Sequence, residues 1–201
     1  MRKALTYCII LLIVLSLCPI LALLINGEGN INANNAEEKT TAVSISERNV
    51  NSDDVISLAL SLIEKDFCDE GIKSALLIAD NNLKFCQKSE KQINHIVSDE
   101  IDKDLYAKAR KLYESLDVEI SYQDELVYIP TASLSKGYTK TSEEYPYIKA
   151  VASPWDCLHK DFVFNKDYPE GISMKGIDYL CKNGMSCTEA LTWYLPYFEI
   201  K

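Results

Sequence analysis

The sequence predicts an α+β fold: an N-terminal transmembrane helix, then a single mixed domain of helices with an antiparallel β-hairpin or sheet. Apolar residues recur at helical spacing through the first half of the domain, a strand-like alternation interrupts them, and capped helical patterns return at the C-terminal end. Of the 201 residues, those from 53 to 201 are expected to form this domain, a length that suits one hydrophobic core. No internal repeat is visible.

Arg2 and Lys3 precede a run from Ala4 to Ile25 without a charged side chain, long enough to cross a bilayer as a helix. The run exceeds the usual signal-peptide core of about 7–15 residues, and no Ala-x-Ala site follows it. An uncleaved anchor over 1–25 is the reading, with a cleaved signal as the alternative. Bulky Leu17 before Cys18 argues against lipidation. The basic flank stays cytoplasmic, so a single-pass location in the cell membrane is expected, with the bulk of the chain extracytoplasmic. Residues 26–52, rich in Asn, Glu, Thr and Ser, read as a flexible linker.

Folded structure is expected from Asp53. Ser52 can cap a first helix in which Val55 to Ile63 is apolar on nearly all sides. Asp69 can cap a second, with Ile72, Ala75, Leu76, Ala79, Leu83 and Cys86 on one face. Ser98 opens a third, with Ile101, Leu105, Ala109, Leu112 and Leu116 on one stripe. Val118, Ile120 and Tyr122 then alternate with polar residues, and Gln123-Asp124-Glu125 separates them from Leu126-Val127-Tyr128-Ile129, which Pro130 closes. This predicts a β-hairpin. A further strand is expected from Tyr147 to Ala152. Ser173 is placed to cap a helix that ends near Asn183, ahead of Gly184, and Ser186 with Glu189 makes a capping box for the last one.

The formal net charge is −9, with acidic residues spread rather than blocked. A nucleic-acid ligand would call for a basic stripe, so no nucleic-acid partner is expected.

Several strings stand out in order. They are Glu64-Lys65-Asp66-Phe67 with Glu70-Gly71-Ile72-Lys73-Ser74-Ala75, then Ser133-Leu134-Ser135-Lys136-Gly137-Tyr138-Thr139, then Pro146-Tyr147-Ile148-Lys149-Ala150-Val151-Ala152-Ser153-Pro154-Trp155-Asp156. Gly171-Ile172-Ser173-Met174-Lys175-Gly176 follows, and Lys182-Asn183-Gly184-Met185-Ser186 runs on to Pro196. Together, over roughly 54–201, they resemble the stage II sporulation protein D and amidase-enhancer family of peptidoglycan-active proteins. This chain departs from the pattern in a shortened interval after Glu64, in Asp80 where an arginine is usual, in Lys136 within the glycine turn and in a missing histidine before that turn. It resembles a divergent, shortened member.

The resemblance implies a membrane-tethered lytic transglycosylase acting on peptidoglycan glycan strands in cell-wall remodelling during sporulation, at engulfment. A wall amidase or another sporulation wall protein would be its partner. Such a reaction needs one carboxyl group that first gives a proton to the leaving oxygen and then takes one from the sugar's own hydroxyl. Glu64 matches the family's glutamate and follows the most apolar helix of the domain, so it is the candidate catalytic residue; the plain alternative is a solvated residue ending a helix. Glu70 reads as a first-turn acid. Ser133, Ser135, Gly137, Thr139 and Ser173 are the candidate substrate-binding residues, although turn geometry and helix capping explain them equally well. Trp155 and Tyr147 could stack on sugar rings or pack in the core. The rival reading is a catalytically degenerate module of the same fold that binds glycan or a wall enzyme.

Cys68, Cys86, Cys157, Cys181 and Cys187 leave disulfide pairing open. No metal or other cofactor is assigned. Cys86 with His95, and Cys157 with His159, lack the tight spacing of a zinc site, and zinc remains the lesser alternative.

Overall fold

The computed structural model describes residues 50–89 and 102–201. Among the described residues, five α-helices, one 3-10 helix and four two-residue strands follow in the order α1 (Ser52–Ser61), α2 (Asp69–Ser89), α3 (Lys103–Glu114), β1 (Ile120–Ser121), β2 (Thr131–Ala132), the 3-10 helix (Pro154–Leu158), β3 (Ile172–Ser173), α4 (Met174–Lys182), α5 (Cys187–Tyr194) and β4 (Glu199–Ile200). This is the expected α+β class, with helices predominating.

α2 is the central element and packs against all four other α-helices. Ile72, Ala75, Leu76, Ile78 and Ala79 are fully buried along it, facing Val55 and Ile56 of α1, Ile177 of α4 and Leu191 of α5. Each such aliphatic side chain contributes about 1.5–3 kcal/mol by leaving water. The N-terminus of α2 is tied to the C-terminal helices by carboxylates. Cys68 N–H donates to Asp178 Oδ1 at 2.8 Å, and Glu70 Oε2 accepts from Cys187 N–H at 2.8 Å.

The expected hairpin does not form. Gln123 and Asp124 take positive φ angles of 54° and 61°, and Tyr122 and Glu125 exchange backbone hydrogen bonds of 2.9 and 3.0 Å. The chain does turn there, but residues 126–129 pair with no strand. Three of their backbone groups go instead to two asparagines of α2: Asn81 Nδ2 donates to Val127 O, and Asn82 both donates to Ile129 O and accepts from Ile129 N–H at 2.7 Å. β1 pairs antiparallel with the distant β4, and β2 pairs parallel with β3. Gly171 permits that parallel pairing, because its φ is +128° and a Cβ there would lie 2.6 Å from Pro130 O. The strand expected at 147–152 reduces to one bridge, Tyr138 with Ala152.

The expected transmembrane helix is also corrected. Among the described residues no helix is long and apolar enough to cross a membrane. The run 4–25, the linker to residue 49, Ser98 and His95 lie outside the described residues. A membrane tether, a single-pass location and an extracytoplasmic face therefore have no structural basis here.

Candidate functional site

Glu64 sits in the loop that joins α1 to α2. Buried Phe67 anchors that loop, its N–H donating to Glu64 O at 3.2 Å, and the Cys68–Asp178 bond fixes its far end against α4. Glu64 is thereby set beside Lys175, the second residue of α4. Lys175 Nζ lies 2.5 Å from Glu64 Oε1 and 2.7 Å from Asp161 Oδ2. The lysine side chain is 7% exposed, against 43% and 49% for the two carboxylates. A buried ammonium thus reaches outward between two partly solvated acids. Burial alone would lower the lysine's pKa, but Asp161 and Glu64 outweigh it and hold it above its ordinary value. The Lys175 hydrogen bond holds Asp161 below the usual carboxylate range. Lys175 N–H donates to Ser133 O at 3.2 Å, which fixes the 133–139 turn to the start of the same helix.

His159 completes the cluster. Glu64, His159 and Asp161 each offer a ligand atom within 4.8 Å of the others, a donor set that would suit a small cation. The cation between the carboxylates is Lys175. Asp161 N–H donates to His159 Nδ1 at 3.2 Å, so a metal at that nitrogen would have to break this bond and displace the lysine. The cluster therefore reads as a charge network. No cysteine belongs to it.

The candidate substrate-binding residues fall largely into a second, buried network. Asp156, 1% exposed, accepts from Ser135 N–H and Oγ–H at Oδ2 (2.8 and 2.6 Å) and from Ser173 Oγ–H at Oδ1 (2.9 Å). Ser173 Oγ also accepts from Gly176 N–H at 3.1 Å, the helix cap that its position predicts. Ser153 Oγ and Tyr194 Oη lie 2.6 Å apart, and Trp155 Nε1 donates to Tyr194 Oη at 2.9 Å. Thr139, 2% exposed, takes Val151 N–H on its hydroxyl at 2.9 Å. Gly137 adopts φ +85°, where a Cβ would lie 2.9 Å from Cys157 Sγ. The hydroxyls of Ser135, Thr139 and Ser173 are engaged inside the protein, and only Ser133 of the predicted set is exposed. Glu64 and these residues share one end of α4 but make separate networks.

The sequence reading did not single out Lys175, Asp161 or Asp156. It named Trp155 as a residue that could stack on a sugar ring, but missed the aromatic surface that Tyr179 and Trp193 make with it. Trp155 stacks on Tyr179 with centroids 5.8 Å apart and planes 6° from parallel, and Trp193 lies 5.7 Å from Trp155 at 56°. Trp193 Nε1 donates to Ala152 O at 2.8 Å. Both indole N–H groups are thus satisfied internally, while Tyr179 and Trp193 remain 41% and 43% exposed. Tyr179 follows Lys175 by one helical turn, and the segment that supplies Trp155 also supplies His159 and Asp161. Tyr147, by contrast, packs among Tyr122, Tyr145 and Phe198 and donates to Tyr128 O at 2.9 Å.

The five described cysteines are free thiols. Burial pushes Cys181 up to about 12 and Cys187 up to about 11, so neither is an activated nucleophile. Glu70 lies in the first turn of α2, and its carboxylate accepts from Lys73 Nζ and from Cys187 N–H.

Compared with known proteins, the chain matches no family model and no curated protein. No match therefore supports the peptidoglycan and wall-amidase partners or the sporulation setting implied by the resemblance, and no helix among the described residues supplies the tether.

Proposed function

We propose that this domain is a carbohydrate-binding module that recognises β-linked N-acetylated amino-sugar chains at the Trp155–Tyr179–Trp193 surface and leaves them uncut. It is the degenerate form of the fold that its sequence strings resemble. The observation that carries this reading is the aromatic surface itself. The two indoles, fixed by internal hydrogen bonds, and the Tyr179 ring stacked on Trp155 offer apolar area with a reduced entropic cost of ordering, and the C–H faces of a pyranose ring complement such a surface. The Glu64 cluster one turn away supplies polar contacts at its edge. Cleavage is disfavoured because Glu64 would have to leave an ion pair before carrying a proton to a leaving oxygen.

The chain contains two tryptophans, and both belong to this surface, so indole fluorescence reports on it alone. Titration of the full chain with a chito-tetraose is expected to give a saturable spectral shift that Tyr179→Ala abolishes. Absence of a saturable shift would overturn the proposal. One observation favours the transglycosylase reading: the ion pair engages Oε1 of Glu64, while 43% of that side chain stays accessible. Incubation with peptide-free glycan strands distinguishes the two. Formation of 1,6-anhydro ends by the parent chain, and none by Glu64→Gln, would make the domain an enzyme.

A further inference from the structure

The aromatic surface does not end at Trp193. Tyr138 and Ala152 form an antiparallel bridge, and the backbone bonds around it are made by their neighbours. Thr139 N–H donates to Val151 O at 2.9 Å and Ser153 N–H to Gly137 O at 2.8 Å. Tyr138 and Ala152 are therefore a narrow, non-hydrogen-bonded pair, with Cα atoms about 4.5 Å apart and side chains on one face. That face is the outer one. Thr139 and Ser153, which point the other way, are 2% and 0% exposed, whereas Tyr138 is 55% exposed and Ala152 is exposed as well.

The same pairing turns the Ala152 carbonyl away from Tyr138, to the far edge of the bridge, where it accepts from Trp193 Nε1 at 2.8 Å. Tyr138 and Trp193 thus stand on either side of Ala152, with a methyl group as the floor between two accessible side chains. Ala150 and Pro154, two residues to each side of Ala152, are also exposed and uncharged. The charged neighbours of Tyr138 in the chain are Lys136 and Lys140, the latter paired with Asp167 at 3.1 Å. Both are ammonium donors, which sugar hydroxyls can accept from. Trp155, 5.7 Å from Trp193, joins this row to Tyr179.

We propose that Tyr138, Ala152 and Trp193 form a second sugar subsite, continuous with the Trp155–Tyr179 stack, which takes the next pyranose rings of the same N-acetylated amino-sugar chain. The inference rests on the sugar-binding reading of the Trp155 surface and extends it from one platform to a row that reads chain length. Ala152 sets the specificity. Its methyl group leaves room for a sugar between Tyr138 and Trp193, and a larger side chain there closes the subsite.

The test is a tryptophan fluorescence titration of the full chain with chitobiose and with chito-tetraose, on the parent, Tyr138→Ala and Ala152→Leu. Both variants keep the two tryptophans, and both substitutions fall on exposed side chains and leave the backbone bonds in place, so the fold and the reporter are retained. The parent is expected to bind the tetraose at least about tenfold more tightly than the biose. Each substitution is expected to remove that advantage and to leave biose binding unchanged. Tetraose affinity of Tyr138→Ala within about twofold of the parent would overturn the second subsite while the Trp155 reading stands, and so would an equal loss for both chain lengths. Absence of a saturable shift with either sugar in the parent would overturn both.

Discussion

Replacing Asp156 separates a structural network from a binding site. The carboxylate receives three hydrogen bonds, two at Oδ2 from Ser135 and one at Oδ1 from Ser173, in a position 1% exposed. Hydrogen bonds to a charged group contribute about 1.5–3 kcal/mol each, but burying the charge offsets part of that. In Asp156→Ala the Ser135 N–H loses its acceptor, while the two hydroxyls can rotate toward other groups. The net loss should be about 3–5 kcal/mol. Asp156→Asn keeps the shape. Its NH₂ cannot face Ser135, where two donors converge, so the amide must turn it toward Ser173 Oγ. That oxygen already accepts from Gly176 N–H but has a second lone pair, so the cost should fall to about 1–2 kcal/mol. Urea unfolding at neutral pH, with the m-value checked for constancy, measures both. If the two variants lie within about 0.5 kcal/mol of the parent, or if the asparagine is as harmful as the alanine, the network does not hold the fold as argued. In that case the serines would again be open to a role in binding.

Three further outcomes follow from the same packing. Gly176→Ala would drive a Cβ into Tyr194 Oη and within 2.8 Å of both Asp156 Oδ1 and Ser153 Oγ, so thermal unfolding should show a loss of about 3 kcal/mol or more, from overpacking plus broken hydrogen bonds. Burial would raise the Glu70 carboxyl, but the Lys73 ammonium at 2.6 Å and Cys187 N–H at 2.8 Å outweigh it and hold it below its ordinary value. Its contribution is present above the unfolded pKa of about 4.3 and is lost as pH falls through the lower folded value; Glu70→Gln should therefore flatten the acid limb of a stability–pH profile. Asn82→Asp sets a carboxylate oxygen against Ile129 O, and should cost about 2 kcal/mol by urea unfolding at pH 7, with part of the loss recovered once the acid is protonated.

The helices were legible because the evidence for them is local. The Ile72-to-Cys86 spacing describes the buried face of α2, and Ser186 with Glu189 forms the capping box that the two residues predict. The caps differ from those expected: Asn51, not Ser52, caps α1, and Asp102 accepts from Asp104 and Leu105 N–H at the start of α3, whereas Ser98, the expected opener of that helix, lies outside the described residues. The strands were not legible, because the partners of β1 and β2 lie far along the chain. Residues 126–129 have strand composition, yet two asparagine side chains take the place of a neighbouring strand, and no local pattern announces that exchange. The site divides the same way. Glu64 could be named from its string, but its chemistry depends on Lys175, a lysine at a core position of a helix, where periodicity alone would expect an apolar residue. Trp193 and Tyr179 meet Trp155 only through the packing of α4 and α5.

Lys175 decides what Glu64 can do. Its stem is buried and its backbone is held to Ser133, so the ammonium cannot move away without disturbing α4; Glu64, on the loop before α2, would have to move instead. Lys175→Met keeps most of the stem volume and removes the charge. The raised pKa of the lysine means that its contribution to stability is complete below the unfolded value of about 10.4 and is lost as pH rises through the higher folded value. The methionine variant should therefore show a smaller alkaline fall in stability than the parent between those values, a difference visible in melting temperature across that range; Lys73, Lys84 and Lys182 are also held above their ordinary values and keep the rest of the fall. The loss at neutral pH should stay well below that of a fully buried pair, because Glu64 and Asp161 are partly exposed and can rehydrate. An alkaline limb as steep in the variant as in the parent would show that the ion pair does not contribute to it. The same protein tests the chemistry. If Lys175→Met forms 1,6-anhydro ends on glycan where the parent forms none, the lysine is what silences Glu64; if neither cuts while both retain the tryptophan-reported binding, recognition at the aromatic surface is the function that the fold supports.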